Sequence, residues 1–241
     1  MRPMATRLTA KRWVKRWLPF AVSGVHFIRR LPWRYRSIEH RFARTAHSHD
    51  RHGLESRSGP GSSLAETAAI RRELPVLVQE LQVISILDVP CGDFHWMKEV
   101  ALPIARYIGA DIMTDQVTKN TVSFANDRRT FMRLDLRQDR LPKVDLILCR
   151  DCLVHLSFAD IFLALENVKR SNSTYLLATT FPAARENTDI VTGEWRPLNL
   201  QLPPFLFPQP LRVLSERCSV EGYADKSLGL WKITDLPPPR T

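Results

Sequence analysis

Ile86-Leu87-Asp88-Val89-Pro90-Cys91-Gly92-Asp93-Phe94-His95-Trp96-Met97 is the stretch that decides the fold of this chain. The apolar positions from Val83 to Val89 are β-branched or leucine, as in a parallel strand covered on both faces. Pro90 has no N–H for a ladder, so the strand stops there, and Gly92 lets a ligand approach the backbone. Ligands of open α/β sheets sit beyond the carboxyl ends of the strands, which makes this turn a candidate cofactor site. Its charge restricts the cofactor. A dinucleotide site needs three glycines and helix-terminal amides facing a pyrophosphate. Here one glycine stands between Asp88 and Asp93, whose carboxylates repel phosphate. A cationic ligand that carries an amino acid and a nucleoside suits the turn better.

Outward from this strand the chain alternates in short units. Strands are predicted at Val83–Val89, Arg106–Ile112, Thr130–Leu134, Val144–Cys149 and Thr174–Phe181. Helices are predicted at Phe94–Ala101, Asp115–Asn126 and Ser157–Lys169. Upstream, Ser63 and Glu66 fit a capping box, so a helix is expected from Leu64 to about Leu81, kinked at Pro75. Leu211–Cys218 and Leu228–Ile233 then pair as two final strands. The rhythm predicts an α/β fold: a Rossmann-like, seven-stranded, mostly parallel sheet with helices on both faces. Between Pro182 and Pro210 the periodicity disappears. A long irregular stretch in a compact domain is usually functional, and its Trp, Arg and Asn suggest a lid over a site.

Three acids end consecutive strands: Asp88, then Asp111 23 residues later, then Asp135. The first interval matches the spacing of an acid that binds ribose hydroxyls, because adjacent parallel strands bring their ends together. Asp135 is placed to accept from an exocyclic adenine amine. At the end of strand four stand Cys149-Arg150-Asp151-Cys152-Leu153-Val154-His155. Asp151 is a candidate general base or orienting acceptor and His155 a second; alternatively Asp151 pairs with Arg150 as scaffold and His155 packs under the sheet. Cys149 and Cys152 have Cys-x-x-Cys spacing but no second ligand pair, so strand-end packing is expected and no metal site is assigned. Trp195 and Arg196 either stack on or clamp an acceptor or anchor a surface loop. Thr179 and Thr180 either meet a substrate or satisfy a buried edge.

With these residues in view, the chain resembles the class I S-adenosylmethionine-dependent methyltransferases. Asp-x-Pro-Cys-Gly-Asp-Phe-x-Trp, Tyr107-Ile108-Gly109-Ala110-Asp111-Ile112 and Leu134-Asp135-Leu136 carry the likeness. It is similar in particular to a bacterial branch that has this Pro-Cys-Gly-Asp turn. Three further elements of that branch are matched by Glu55–Ser62, Arg150–Leu156 and Thr192–Asn199. The resemblance covers about residues 50 to 236, although Pro90 stands where the superfamily loop usually has a glycine. It implies S-adenosyl-L-methionine as cofactor, with Asp88, Cys91, Gly92 and Asp93 at its methionine part and Ser58 and Gly59 closing over the carboxylate. Asp111 would hold the ribose, Ile112 would pack on the adenine, and Asp135 and Leu136 would meet its polar edge. Arg150 joins the cofactor group, Asp151 and His155 the catalytic group, and Trp195, Arg196 and Asn199 the acceptor group. The acceptor implied is an oxygen or nitrogen of a small molecule or glycan. RNA is the alternative, as is a cofactor-binding module without turnover.

Bulk composition bounds the rest. Residues 1–57 hold 14 Lys and Arg against 3 Asp and Glu, whereas the other 184 residues hold 21 against 22. Three parts are expected: a basic extension (1–57), a methyltransferase domain (58–236) and a flexible tail (237–241). Arg57 to Ser63 reads as a hinge between the first two. Trp13 and Trp17 among the lysines and arginines suit an anionic membrane surface, contacted through residues 11–36, or less well a nucleic acid, or a solvated extension resting on the domain. The apolar run from Ala21 to Ile28 is too short to span a bilayer, and Arg29 and Arg30 follow where a signal peptide would be cleaved. Four cysteines make no disulfide scaffold, so a cytoplasmic protein, peripheral at the membrane if the arm binds lipid, is expected.

Overall fold

A computed structural model of the chain describes residues 37–238. Residues 11–36, and with them the expected membrane or nucleic-acid contacts, lie outside the described residues, as does most of the expected tail. Seven strands form one sheet: β1 (Ser85–Asp88), β2 (Arg106–Asp111), β3 (Arg129–Arg133), β4 (Leu146–Cys149), β5 (Tyr175–Thr180), β6 (Arg212–Ser215) and β7 (Ser227–Lys232). Their order is β3-β2-β1-β4-β5-β7-β6. β1 to β5 run parallel, and β7 is antiparallel to β5 and β6. The chain winds outward from β1 to β3, then crosses back to lay β4 on the other side of β1. That reversal opens a crevice beyond the carboxyl ends of β1 and β4.

Among the described residues, four α-helices accompany the sheet: α1 (Ile38–Arg51), α2 (Ala68–Glu80), α3 (Thr114–Phe124) and α4 (Phe158–Arg170). Successive side chains of a strand point to opposite faces, and here both faces are apolar. Ile86, Leu146 and Leu148 pack with Ile70, Leu74 and Leu77 of α2 on one side. Leu87, Ile147 and Trp231 pack with Ile161, Ala164 and Val168 of α4 on the other. Each fully buried aliphatic side chain is worth about 1.5–3 kcal/mol.

The differences from expectation are local. The helix expected from Leu64 begins at Ala68 and runs through Pro75. Ser63 Oγ does accept from Glu66 N at 3.2 Å, but Ser63 N already donates to Pro60 O. The Glu66 carboxylate therefore turns to Ser219, and the capping box is half made. The helix expected over Phe94–Ala101 shrinks to one tight turn, Met97–Glu99. Phe94 takes a left-handed φ of 58°, which a helix does not accommodate, and buries its ring against Tyr107, Phe124 and Phe131.

Two segments read differently once folded. Pro182–Pro210 is a strap, not a free lid: Leu198, Leu200, Phe205 and Phe207 are buried in the α4-side core. Its backbone is tied to β5 by Phe181 N to Leu198 O, at 2.9 Å. Arg57–Ser63 is no hinge either, because it folds back onto the turn after β1. α1 belongs to the same body. Glu39 accepts from Thr114 N and Oγ1 at 3.1 Å, and Arg41 donates to Thr192 O at 2.8 Å. Among the described residues, no helix is long and apolar enough to cross a membrane.

Candidate active site

The carboxyl ends of β1, β2, β4 and β5 open into a cleft of about 510 Å³, roofed by α1 and by the loop from Arg57 to Ser62. Of the residues that the sequence assigns to the cofactor, catalytic and acceptor groups, all but Arg196 and Asn199 border it; Cys149, Thr179 and Thr180 do not.

The turn after β1 is held from both sides. Val89 N donates to Leu148 O of β4 at 2.9 Å, and Cys91 N to Ala110 O of β2 at 2.8 Å. Gly92 is left-handed, with φ 53°, and a Cβ there would stand 2.1 Å from Ser58 Oγ. The residue must be glycine for two reasons, conformation and close approach. Asp93 fastens the preceding loop. Its carboxylate accepts from Ser56 Oγ (2.9 Å), Arg57 N (2.8 Å) and Ser58 Oγ (3.2 Å). Glu55 reaches His95 Nε2 at 2.9 Å, and that hydrogen bond holds its carboxyl below the usual range. The Glu55–Ser62 and Pro90–Trp96 motifs, separate in sequence, are thus one structure.

Two acids face the cleft in a dry setting. Burial pushes the Asp88 carboxyl up to about 7, against the pull of the Tyr107 hydroxyl that donates to it and of Arg150. Burial likewise raises Asp111 to about 6, although it accepts from Met113 N at 2.9 Å and Gly92 N at 3.1 Å. No lysine or arginine among the described residues forms a salt bridge with Asp88, Asp93 or Asp111. Burial raises the Cys91 thiol as well, so it stays protonated and acts as a small turn residue.

Asp135 differs. Burial works to raise its carboxyl, but Arg137 outweighs that and holds it below the usual range. Arg137 Nη2 meets Oδ2 at 2.7 Å, and Nε meets Oδ1 at 3.0 Å. Both oxygens expected for the adenine amine thus already serve Arg137. Ile112 and Leu136 border the same part of the cleft.

At the end of β4, Asp151 sits in a left-handed conformation with φ 50°. Its N–H donates to Thr179 Oγ1 at 2.7 Å, so Thr179 satisfies a strand end. Its carboxylate meets Lys226 Nζ at 2.6 Å and Arg150 Nη1 at 3.2 Å. Burial would raise this carboxyl, yet the two cations hold it low, which makes it a poor base and a good anchor. Arg150 also donates to Gly61 O at 2.6 Å and pairs with Glu216 at 2.6 Å. His155 is shifted the other way: burial lowers it, so the ring is neutral at pH 7. Its Nδ1 lies 2.9 Å from Glu194 O. A carbonyl only accepts, so Nδ1 carries the hydrogen and Nε2 the lone pair.

The strap delivers Trp195 but not Arg196. Trp195 is 41% exposed and packs edge-on against Tyr223 at 4.9 Å and Phe181 at 6.0 Å, all three bordering the cleft. Arg196 turns away from the acceptor side, which corrects its expected role as a clamp. It donates to Leu153 O (2.9 Å), Leu156 O (2.7 Å) and Thr188 O (3.2 Å), and burial lowers its pKa to about 10. Asn199 likewise spends its amide on Pro182 O and Ala184 O. Both are buried because the strap needs partners for carbonyls that face no water.

Sequence reasoning missed Glu216, Lys226, Tyr223 and Phe42. A lysine directly before the apolar run Ser227–Trp231 was a usable signal, since a charge there needs a buried partner. Glu216 had none, because its partner Arg150 is 66 residues away.

No protein-family model matches the chain, and no curated protein matches it. Solved structures similar to it include human N-acetylserotonin methyltransferase in complex with S-adenosylmethionine, at 16% identity and TM-score 0.44, covering 54% of this chain and 42% of that one. Magnesium protoporphyrin IX methyltransferase from Synechocystis, with bound S-adenosylhomocysteine, is similar at 19% identity and TM-score 0.39, covering 50% and 60%. An amino pentose methyltransferase from Micromonospora echinaspora is similar at 14% identity and TM-score 0.40, covering 45% and 48%. This chain thus spans less than two thirds of each of these proteins. The fold class rests on the strand order itself.

Proposed function

We propose that this chain transfers a methyl group from S-adenosyl-L-methionine to an oxygen or nitrogen of a small-molecule or glycan-type acceptor, as a member of the branch that its four motifs resemble. One observation carries the reading. Asp88, Asp93 and Asp111 border the cleft at the ends of β1 and β2 with no salt bridge to a described lysine or arginine, and His155, bordering the same cleft, has an unprotonated ring nitrogen. Acids that no salt bridge neutralises fit a ligand that bears a sulfonium and an ammonium and repel a dinucleotide phosphate. The cofactor supplies an electrophilic methyl group.

The chain's own residues do the rest. Ser58 and Gly59 close one end of the cofactor half, Asp111 faces the ribose, and Ile112 and Leu136 give the adenine an apolar bed. Asp151, fixed by Lys226 and Arg150, sets the floor at the end of β4. His155 receives the acceptor's proton. In this reading the unit that works is 58–236 together with α1, whose Phe42 packs edge-on against His155 at 6.1 Å.

Calorimetry with S-adenosylmethionine and S-adenosylhomocysteine tests the reading. Both should bind with micromolar affinity. Asp111→Ala should weaken them by about tenfold or more, one charge-assisted pair being worth about 1.5–3 kcal/mol. His155→Ala should leave binding within about twofold and cut turnover by roughly 10²-fold or more. A folded protein that binds neither ligand ends the proposal.

A further inference from the structure

The acceptor side of the cleft has no spare charge among the described cations. Arg150 is paired with Glu216 at 2.6 Å, and Lys226 with Asp151 at 2.6 Å and Glu216 at 3.2 Å. The four formal charges cancel, and the side chains of Arg150 and Glu216 are only 4% and 1% exposed. A carboxylate or phosphate acceptor would have to break a buried pair and strand its partner, a costly exchange. Arg196 and Asn199, the polar side chains expected to meet the acceptor, are turned to backbone carbonyls.

Aromatic surface is what this side does offer. Phe181, Trp195 and Tyr223 form a closed edge-to-face set, with Tyr223 5.9 Å from Phe181. Trp195 and Val220 border the cleft while 41% and 50% exposed. Such area on large apolar side chains beside a cleft is a surface for another ring. On the same cleft, His155 Nε2 carries a lone pair able to take a proton. A neutral imidazole takes one far more readily from an aryl hydroxyl, with a pKa near 10, than from an alkanol.

Resting on the methyl-transfer reading, we propose that the acceptor is an uncharged aryl alcohol, its ring against Phe181, Trp195 and Tyr223 and its hydroxyl at His155. The O–H proton passes to His155 Nε2 and the oxygen forms the new O–CH3 bond. The electron pair of the broken S–CH3 bond stays on sulfur, which leaves as a neutral thioether. The imidazolium returns its proton to solvent, and no oxidant or reductant is consumed.

Calorimetry on protein saturated with S-adenosylhomocysteine tests this with four probes: 2-naphthol, 2-naphthoate, 2-naphthylmethylamine and methyl β-glucopyranoside. The naphthol should bind about tenfold or more tighter than each of the others. Trp195→Ala should weaken naphthol by about fivefold or more and leave S-adenosylhomocysteine within about twofold, which also reports an intact fold; Trp195→Phe should restore most of the loss. No measurable naphthol binding, equal or tighter binding of any other probe, or indifference to Trp195→Ala overturns the proposal while the cofactor reading stands. Failure of S-adenosylhomocysteine itself to bind removes the cofactor reading instead.

Discussion

Asp88 and Asp111 hold opposite roles in stability and binding. Their folded-state values, about 7 and about 6, lie above the ordinary 3.8. The folded protein therefore binds these protons more readily than the unfolded chain. Their ionisation costs stability at high pH, and the cost is relieved as the pH falls through 7 and then 6. A cationic ligand reverses the preference, since it needs both carboxylates charged. Affinity for S-adenosylmethionine should then fall by about tenfold or more from pH 8 to pH 5.5, while the melting temperature of the ligand-free protein changes in the opposite sense. Asp88→Asn should flatten the binding curve and leave the ligand-free protein at least as stable. A calorimetric series showing no pH trend in wild type would remove this role for the two acids.

At the scale of elements, the four motifs interlock in pairs. Glu55–Ser62 is bonded to Pro90–Trp96, and Thr192–Asn199 to Arg150–Leu156, through Arg196 and through Gly193 N to His155 O at 2.8 Å. Arg150, bonded to Gly61 O, joins the two pairs. Arg196 thus holds the turn that carries His155, and in the proposed reading it is a positioning residue. Arg196→Lys keeps the charge but not the planar fork that spans two carbonyls. It should lower stability by about 1–3 kcal/mol and reduce kcat with little change in S-adenosylhomocysteine affinity; equal losses in both would make Arg196 merely structural. The strands were legible in sequence because buried parallel strands are short apolar runs, and β1 to β5 fall within two residues of their expected limits. The three acids were legible for the same reason, since strand ends place them. The roles of Arg196 and Asn199 were not, because a polar residue in an irregular stretch looks the same whether it faces a ligand or a carbonyl. The Arg150–Glu216–Lys226–Asp151 cluster was hidden by distance along the chain.

Across the whole molecule, charge and architecture divide at different places. The basic excess lies in residues 1–57, yet the folded body begins no later than α1. An amphipathic helix inside a basic segment reads as an appendage, and only its contacts show otherwise. α1 is pinned at one side of the cleft by Glu39 on Thr114, just past β2, and at the other by Arg41 on Thr192 of the strap. On the same helix, Ile38, Phe42, Thr45 and Ala46 border the cleft. A helix held at its first turn by two clamps has to release at least one before it can swing off the cleft, and motions of this kind run on microsecond-to-millisecond scales or slower. Product escape, rather than bond-making, should therefore set the pace of the cycle. Rapid-quench traces should show a first turnover faster than those that follow, and Glu39→Ala, which frees one clamp, should shrink that burst while speeding the steady state.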